Sequence, residues 1–155
     1  MGGLGRDRFD RVRDRLAPVR LSLRAEVAAA VPLEPGEAVL VDKRIVHGGE
    51  WLAHAGWLRV TDRRVIVLAG RWLGRNRVVD IPRGLVRVRE ATYRDPVIRL
   101  EATVPVDDDL LAFRSNDRVI VPNRSRLQIH EQTRRTSELR EALLLVLPQA
   151  PPRLI

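Results

Sequence analysis

From Glu37 onward the apolar residues recur at every second position, and that period restricts the chain to a largely β architecture. Expected strands are Ala38–Val46, Trp57–Val60, Arg64–Ala69, Arg77–Ile81, Leu85–Glu90 and Val97–Val104, followed by two short ones at Arg118–Val121 and Arg126–His130. Arg64–Ala69 is apolar on both faces, which predicts a central strand. Between the second and third strands, Thr61-Asp62-Arg63 is a turn, with the Asp62 side chain expected on nearby backbone amides. Asp107-Asp108-Asp109 is expected as a loop. Short strands at regular spacing, separated by turn residues, predict an open barrel or sandwich of about seven antiparallel strands.

Two helical segments flank this region. Phe9, Val12, Leu16, Val19 and Leu23 recur at steps of three and four and continue through Val27 and Ala30, predicting an amphipathic helix over Arg6–Ala30. Pro18 predicts a kink, since proline removes one backbone hydrogen bond. Pro32-Leu33-Glu34-Pro35-Gly36 ends the helical pattern. At the other end, Leu139, Leu143 and Val146 predict a helix over Ser137–Leu147 that closes the barrel, with Thr136 as its N-cap. The expected organisation is therefore an N-terminal helix over 1–32, a β domain over 33–147 and a flexible tail over 148–155.

Three pieces of the β region resemble a known family. They are Leu33-Glu34-Pro35-Gly36-Glu37-Ala38-Val39-Leu40, Gly56-Trp57-Leu58-Arg59-Val60-Thr61-Asp62-Arg63-Arg64-Val65-Ile66-Val67-Leu68, and Val79-Asp80-Ile81-Pro82. Together they resemble the bacterial PH-like domains related to GRAM domains, over roughly residues 33–147. The resemblance implies a "PGE" entry to the first strand, a hairpin for the second and third, and an "I-P" end to the fourth. It also implies a C-terminal helix plugging the barrel. What it implies about function is a non-enzymatic binding module that docks to a protein partner or an anionic membrane surface. A structural subunit assembling through its N-terminal helix and sheet edges is the alternative.

Charge sharpens these expectations. The chain has 155 residues, a formal net charge of +8 and a single lysine, Lys43. An excess of arginine favours polyanions, yet Asp7, Asp10, Asp14 and Asp62 sit among the arginines. Nucleic acid is disfavoured, because stacking on bases needs exposed aromatics and only 4% of residues are aromatic. Lys43, Arg44, Arg63 and Arg64 form a candidate anion or headgroup set. Arg71, Trp72, Leu73, Arg75 and Arg77 form a candidate membrane or partner loop, with apolar residues for the interface and arginines for phosphates. The stripe Phe9, Val12, Leu16, Val19 and Leu23 is the candidate helix interface, against protein or membrane.

The residues argue against chemistry. There is no cysteine, hence no thiol nucleophile and no thiolate metal site. His47 and His54 could approach each other across a hairpin, but two histidines without a third ligand make a poor metal site, and exposed strand histidines are the simpler reading. No glycine-rich phosphate loop follows a strand. No catalytic residue, metal or cofactor is expected. The opening residues lack an apolar signal segment, and no apolar run approaches the roughly 20 residues of a membrane span. A cytoplasmic location is expected, peripheral at the inner face of the membrane in the lipid-binding case.

Overall fold

Among the described residues seven antiparallel strands form one curled sheet in the order β4-β3-β2-β1-β7-β6-β5, a half-barrel with a helix on each face. The strands are β1 Val39–His47, β2 His54–Thr61, β3 Arg64–Ala69, β4 Arg77–Pro82, β5 Val86–Arg89, β6 Ile98–Ala102 and β7 Ala112–Ser115. Helix α1 covers residues 23–30 and helix α2 runs Arg126–Val146. The computed structural model describes residues 23–48, 53–70, 76–89, 97–115 and 126–151. The Arg118–Val121 strand and the Pro18 kink lie outside them.

The strands follow the alternation of the sequence, because β-branched side chains fit a pleated, half-buried surface. Val41, Ile45, Leu58, Val60, Val65, Val67 and Ile81 share the main core with Val86, Val88, Ile98, Leu100, Leu111 and Phe113. Leu139, Leu143 and Leu147 bring α2 into that core. The opposite face holds a second cluster, in which Leu23, Val27 and Val31 pack on Ile66 and Leu68, flanked by Ala55, Trp57 and Val78. β3 is thus buried on both faces while lying next to the edge strand, not at the centre of the sheet. Its second buried face comes from α1 rather than from a central position.

The two halves of the sheet join narrowly. Among the described residues β1 pairs β7 only at Ile45–Ser115 and Val46–Arg114. The β5 edge is closed by the chain beyond α2: Val88 donates to the Pro148 carbonyl at 2.8 Å, and Ala150 donates to the Val88 carbonyl at 2.7 Å. Ala150 is buried, so the start of the expected tail is paired with the sheet.

Two sequence expectations are corrected. Arg126–His130 is not a strand but the first part of α2, which is 21 residues long. Apolar residues two apart in so short a run fit either period. Thr136 is consequently not an N-cap. It lies mid-helix, buried, and its Oγ1 accepts from the Ser115 amide at 3.2 Å, fastening α2 to β7. β7 itself was not expected, since Ala112–Ser115 is only four residues long and follows a 3-10 turn at Asp108–Leu111. Asp107 caps that turn by accepting from the Asp109 amide.

Candidate functional site

The expected cationic set is not assembled at one mouth. Pro35 and Gly36, the latter with φ of 79°, make a turn closed by Glu37 N–H donating to the Glu34 carbonyl at 3.0 Å. That is the pattern of a type II turn, with proline and then glycine at its central positions. The turn presents Glu37 to Arg64. Arg64 Nη2 and Nε donate to the two Glu37 carboxylate oxygens at 2.7 and 2.9 Å. Arg64 also donates to Asp80 at 3.1 Å and to the Pro32 carbonyl at 2.7 Å. Arg63 donates to Glu34 at 2.6 Å. The guanidinium hydrogen bonds hold the Glu37 carboxyl at about 2, against burial, which pushes the other way; Thr61 adds to the lowering. Hydrogen bonding to Glu37 likewise holds Arg64 more firmly charged.

Lys43 and Arg44 lie further along β1. Thr61 pairs with Val39, so Lys43 is four residues beyond the turn, roughly 13 Å away at the rise of a strand. Lys43 is exposed and Arg44 is half-buried opposite Trp57, on alternate faces of the strand. Arg63 and Arg64 therefore brace the linker between α1 and β1. The turn chemistry also differs from expectation. Thr61 Oγ1, not Asp62, accepts from the Arg63 and Arg64 amides at 3.1 and 3.0 Å. Asp62 extends the β1–β2 ladder: its Oδ1 accepts from the Ala38 amide and its own amide donates to the Ala38 carbonyl, both at 3.0 Å.

Of the helix stripe, Leu23 is described, and it packs on the chain's own sheet. Arg24 and Arg59 meet Asp42 at 3.3 and 3.2 Å on the same face, where the Trp57 indole also donates to Asp42. Phe9, Val12, Leu16 and Val19 lie outside the described residues, as do Arg71, Trp72, Leu73 and Arg75. Arg77, the described member of that loop set, opens β4 and donates to Asp107 at 3.0 Å.

A different group of residues converges at one end of the half-barrel. A cleft of about 540 Å³ is lined by the end of β1, the start of β2, the β3–β4 ends, β6, and the turn leading into β7. Its apolar wall includes Val46, Ala69, Leu110 and Phe113. Arg77, Arg99 and Arg114 line it together with one carboxylate, Asp109, and Arg77 is paired with Asp107 beside it. His47 and His54, directly opposite in the β1–β2 register, also line it.

His47 is the more tightly held of the two. Its ring lies edge-on to Phe113, and its Nε2 is 3.0 Å from the Leu110 carbonyl. A carbonyl only accepts, so Nε2 carries the hydrogen and Nδ1 is a bare acceptor. That Nδ1 is buried with no hydrogen-bond partner among the described residues, and so is Nδ1 of His54. Gly56 makes room for the imidazole: a Cβ there would lie 2.7 Å from His47 Nδ1 and 2.4 Å from the Leu68 carbonyl oxygen. Burial first, and the His54 charge in addition, lower the His47 pKa, while the bond to Leu110 works the other way.

The His47–His54 pairing is legible from hairpin geometry. Arg99 and Arg114 carried no local signal, because each is one more outward arginine until the sheet curls. Among the described residues no group of three or more His, Cys, Asp or Glu could hold a metal ion. No described helix is long and apolar enough to cross a membrane. Comparison with protein-family models, curated proteins and solved structures gave no match.

Proposed function

We propose that this chain is a non-enzymatic, PH-like binding module that receives an anionic group in the cleft at the end of its half-barrel. One observation carries the reading: Arg77, Arg99 and Arg114, drawn from three strands, line a single cleft whose wall includes Val46, Ala69, Leu110 and Phe113, with Asp109 in the lining and Asp107 paired to Arg77. A guanidinium matches phosphate and carboxylate geometry, and an apolar wall strengthens the attraction by excluding water. An anionic membrane surface is the partner this charge suits best. The packing of Leu23, Val27 and Val31 on the sheet supports a helix that docks on protein at this end.

Vesicle sedimentation tests the proposal. The full chain should pellet with phosphatidylcholine vesicles containing phosphatidylglycerol and not with phosphatidylcholine alone. Binding should weaken with salt, since exposed charges are screened beyond about 8 Å at physiological ionic strength. Arg99→Gln combined with Arg114→Gln should reduce binding at least about tenfold, because each arginine near an anionic surface contributes about 1 kcal/mol and the cleft concentrates both. Undiminished binding by the double variant would remove the cleft from the function.

A further inference from the structure

We infer that His47 is an acid-sensitive pin between the two halves of the half-barrel, whose protonation loosens the joint of β1 with β7 and, with it, one wall of the cleft. The inference concerns the fold around the cleft and holds whatever the cleft receives. The β1–β7 ladder runs through Ile45–Ser115 and Val46–Arg114. One step further along the same register His47 stands across from Phe113, and there the side chains take over. The imidazole lies edge-on to the Phe113 ring, with centroids 6.1 Å apart. Its Nε2 donates to the Leu110 carbonyl at 3.0 Å, joining the end of β1 to the 3-10 turn that leads into β7. His47, Leu110, Phe113 and Arg114 all line the cleft.

The joint accepts only the neutral ring. His47 is 5% exposed, its Nε2 hydrogen is used by Leu110, and Nδ1 is buried with no hydrogen-bond partner among the described residues. Against Gly56 the ring is packed so closely that a Cβ there would lie 2.7 Å from Nδ1. A second proton would therefore be a buried charge and a buried donor without an acceptor. The charged groups that share the cleft do not supply one. Asp109, in the 3-10 turn, is the carboxylate of the described lining and is not bonded to Nδ1. Arg77 on β4 is held by Asp107, Arg99 on β6 and Arg114 on β7 have partners of their own, and His54 stands opposite on β2. Burial accordingly lowers the His47 pKa, against the bond to Leu110, which works the other way. An opened joint gives the ring to water, where it takes a proton at its ordinary value of 6.5. The closed joint is thus fully favoured above that pH and loses stability as the pH falls below it. A seam this short opens at a lower free energy than the whole domain unfolds.

Native-state hydrogen exchange of the full chain, read as amide protection factors from about pH 7.5 to about pH 5, tests this. Glu37 stays ionised across that range, so its own acid limit does not contribute. Protection of the Val46, Arg114 and Ser115 amides should fall by more than about threefold. The ceiling is about thirtyfold, the limit for a group of ordinary value 6.5 whose proton the closed joint excludes completely. Protection of Ile66 and Leu68 in β3 should hold. His47→Gln keeps an amide donor for the Leu110 carbonyl and cannot ionise, so its joint should show no pH dependence. His54→Gln should show the same fall as the parent. Nitrogen NMR of the parent makes the test independent of whether either variant folds: the His47 ring should keep the neutral Nε2–H pattern until the pH is below 6.5. Joint protection that ignores pH in the parent would overturn the pin. So would a fall that persists in His47→Gln or vanishes in His54→Gln, an equal fall in β3, or a His47 ring that titrates at or above 6.5.

Discussion

Arg64 and Glu37, 27 residues apart, form a two-pronged ion pair at 2.7 and 2.9 Å in which the Glu37 side chain is wholly shielded from solvent. The pair joins the start of β3 to the turn before β1, and Arg64 reaches on to Asp80 of β4 and to the Pro32 carbonyl. One guanidinium thus ties the α1 linker to the sheet that α1 covers. Removing it would leave a carboxylate buried and uncompensated. Arg64→Met is expected to destabilise the protein by roughly 3–5 kcal/mol. Arg64→Lys should recover only part of that, because an ammonium cannot reproduce the fork. Urea denaturation of both variants checks this, and an Arg64→Met loss under about 1 kcal/mol would contradict it.

The same pair sets an acid limit. Glu37 titrates at about 2 in the folded chain against an ordinary 4.5, so the unfolded chain binds its proton first as the pH falls. The stabilisation is complete above pH 4.5 and is lost as the pH falls from there towards about 2. Melting temperatures measured from neutral pH down to pH 2.5 should fall across that window. In Glu37→Gln the fall should be shallower and start from a lower neutral-pH value. Parallel curves for the two proteins would contradict the linkage.

Thr61 holds the β2–β3 turn. Its hydroxyl accepts from two backbone amides and donates to Glu37 at 2.6 Å. Thr61→Val keeps the shape and leaves those groups unmatched. The expected loss is about 1–3 kcal/mol. Asp62→Asn, exposed and keeping the acceptor for the Ala38 amide, should cost less than Thr61→Val. The reverse order would show that Asp62 governs the turn after all.

Gly56 is required by close approach rather than by backbone angle. A methyl group there would press on a backbone oxygen at 2.4 Å and on the His47 ring. The carbonyl cannot move without breaking the β2–β3 ladder. Gly56→Ala should therefore cost about 1–3 kcal/mol and shift the His47 NMR signals. An unperturbed His47 in a folded Gly56→Ala variant would show that the ring does not sit against β2.

The two helices are separately testable. Leu143→Ala, at a fully buried site in the main core, should cost about 2–5 kcal/mol through lost transfer energy and a cavity. Val27→Asp places a carboxylate between α1 and the β3 residues Ile66 and Leu68. That should lower stability by at least about 2 kcal/mol. For a chain of this size the loss corresponds to a melting shift of about 4–8 °C. It should also expose Trp57, giving a red-shifted emission. A Val27→Asp variant with unchanged melting and emission would mean that α1 does not cover the sheet.

Periodicity alone determined most of the fold. The alternation in Trp57–Val60, the turn at Thr61-Asp62-Arg63 and the continuous apolar run of Arg64–Ala69 placed a hairpin where β2 and β3 stand, and the β3 boundaries agree with the structure. The proline-rich stretch at Pro32–Gly36 separated helix from sheet because proline and glycine act on the local backbone. Leu139 and Leu143 marked a core-facing helix because their spacing is a property of the helix itself. What local pattern could not decide depends on contacts far apart in the chain. Ala112–Ser115 is a strand because Ile45 and Val46 on one side, and Ile98 and Arg99 on the other, offer partners. Thr136 is buried inside α2 because β7 needs an acceptor for the Ser115 amide. The arginines were the least legible. Sequence grouped Arg63 and Arg64 with Lys43 and Arg44 by charge, whereas folding neutralised Arg64 with Glu37 and paired Arg77 with Asp107 at the cleft that His47 and His54 also line. A charge's partner is fixed by distance in space, and only the curl of the sheet sets that distance.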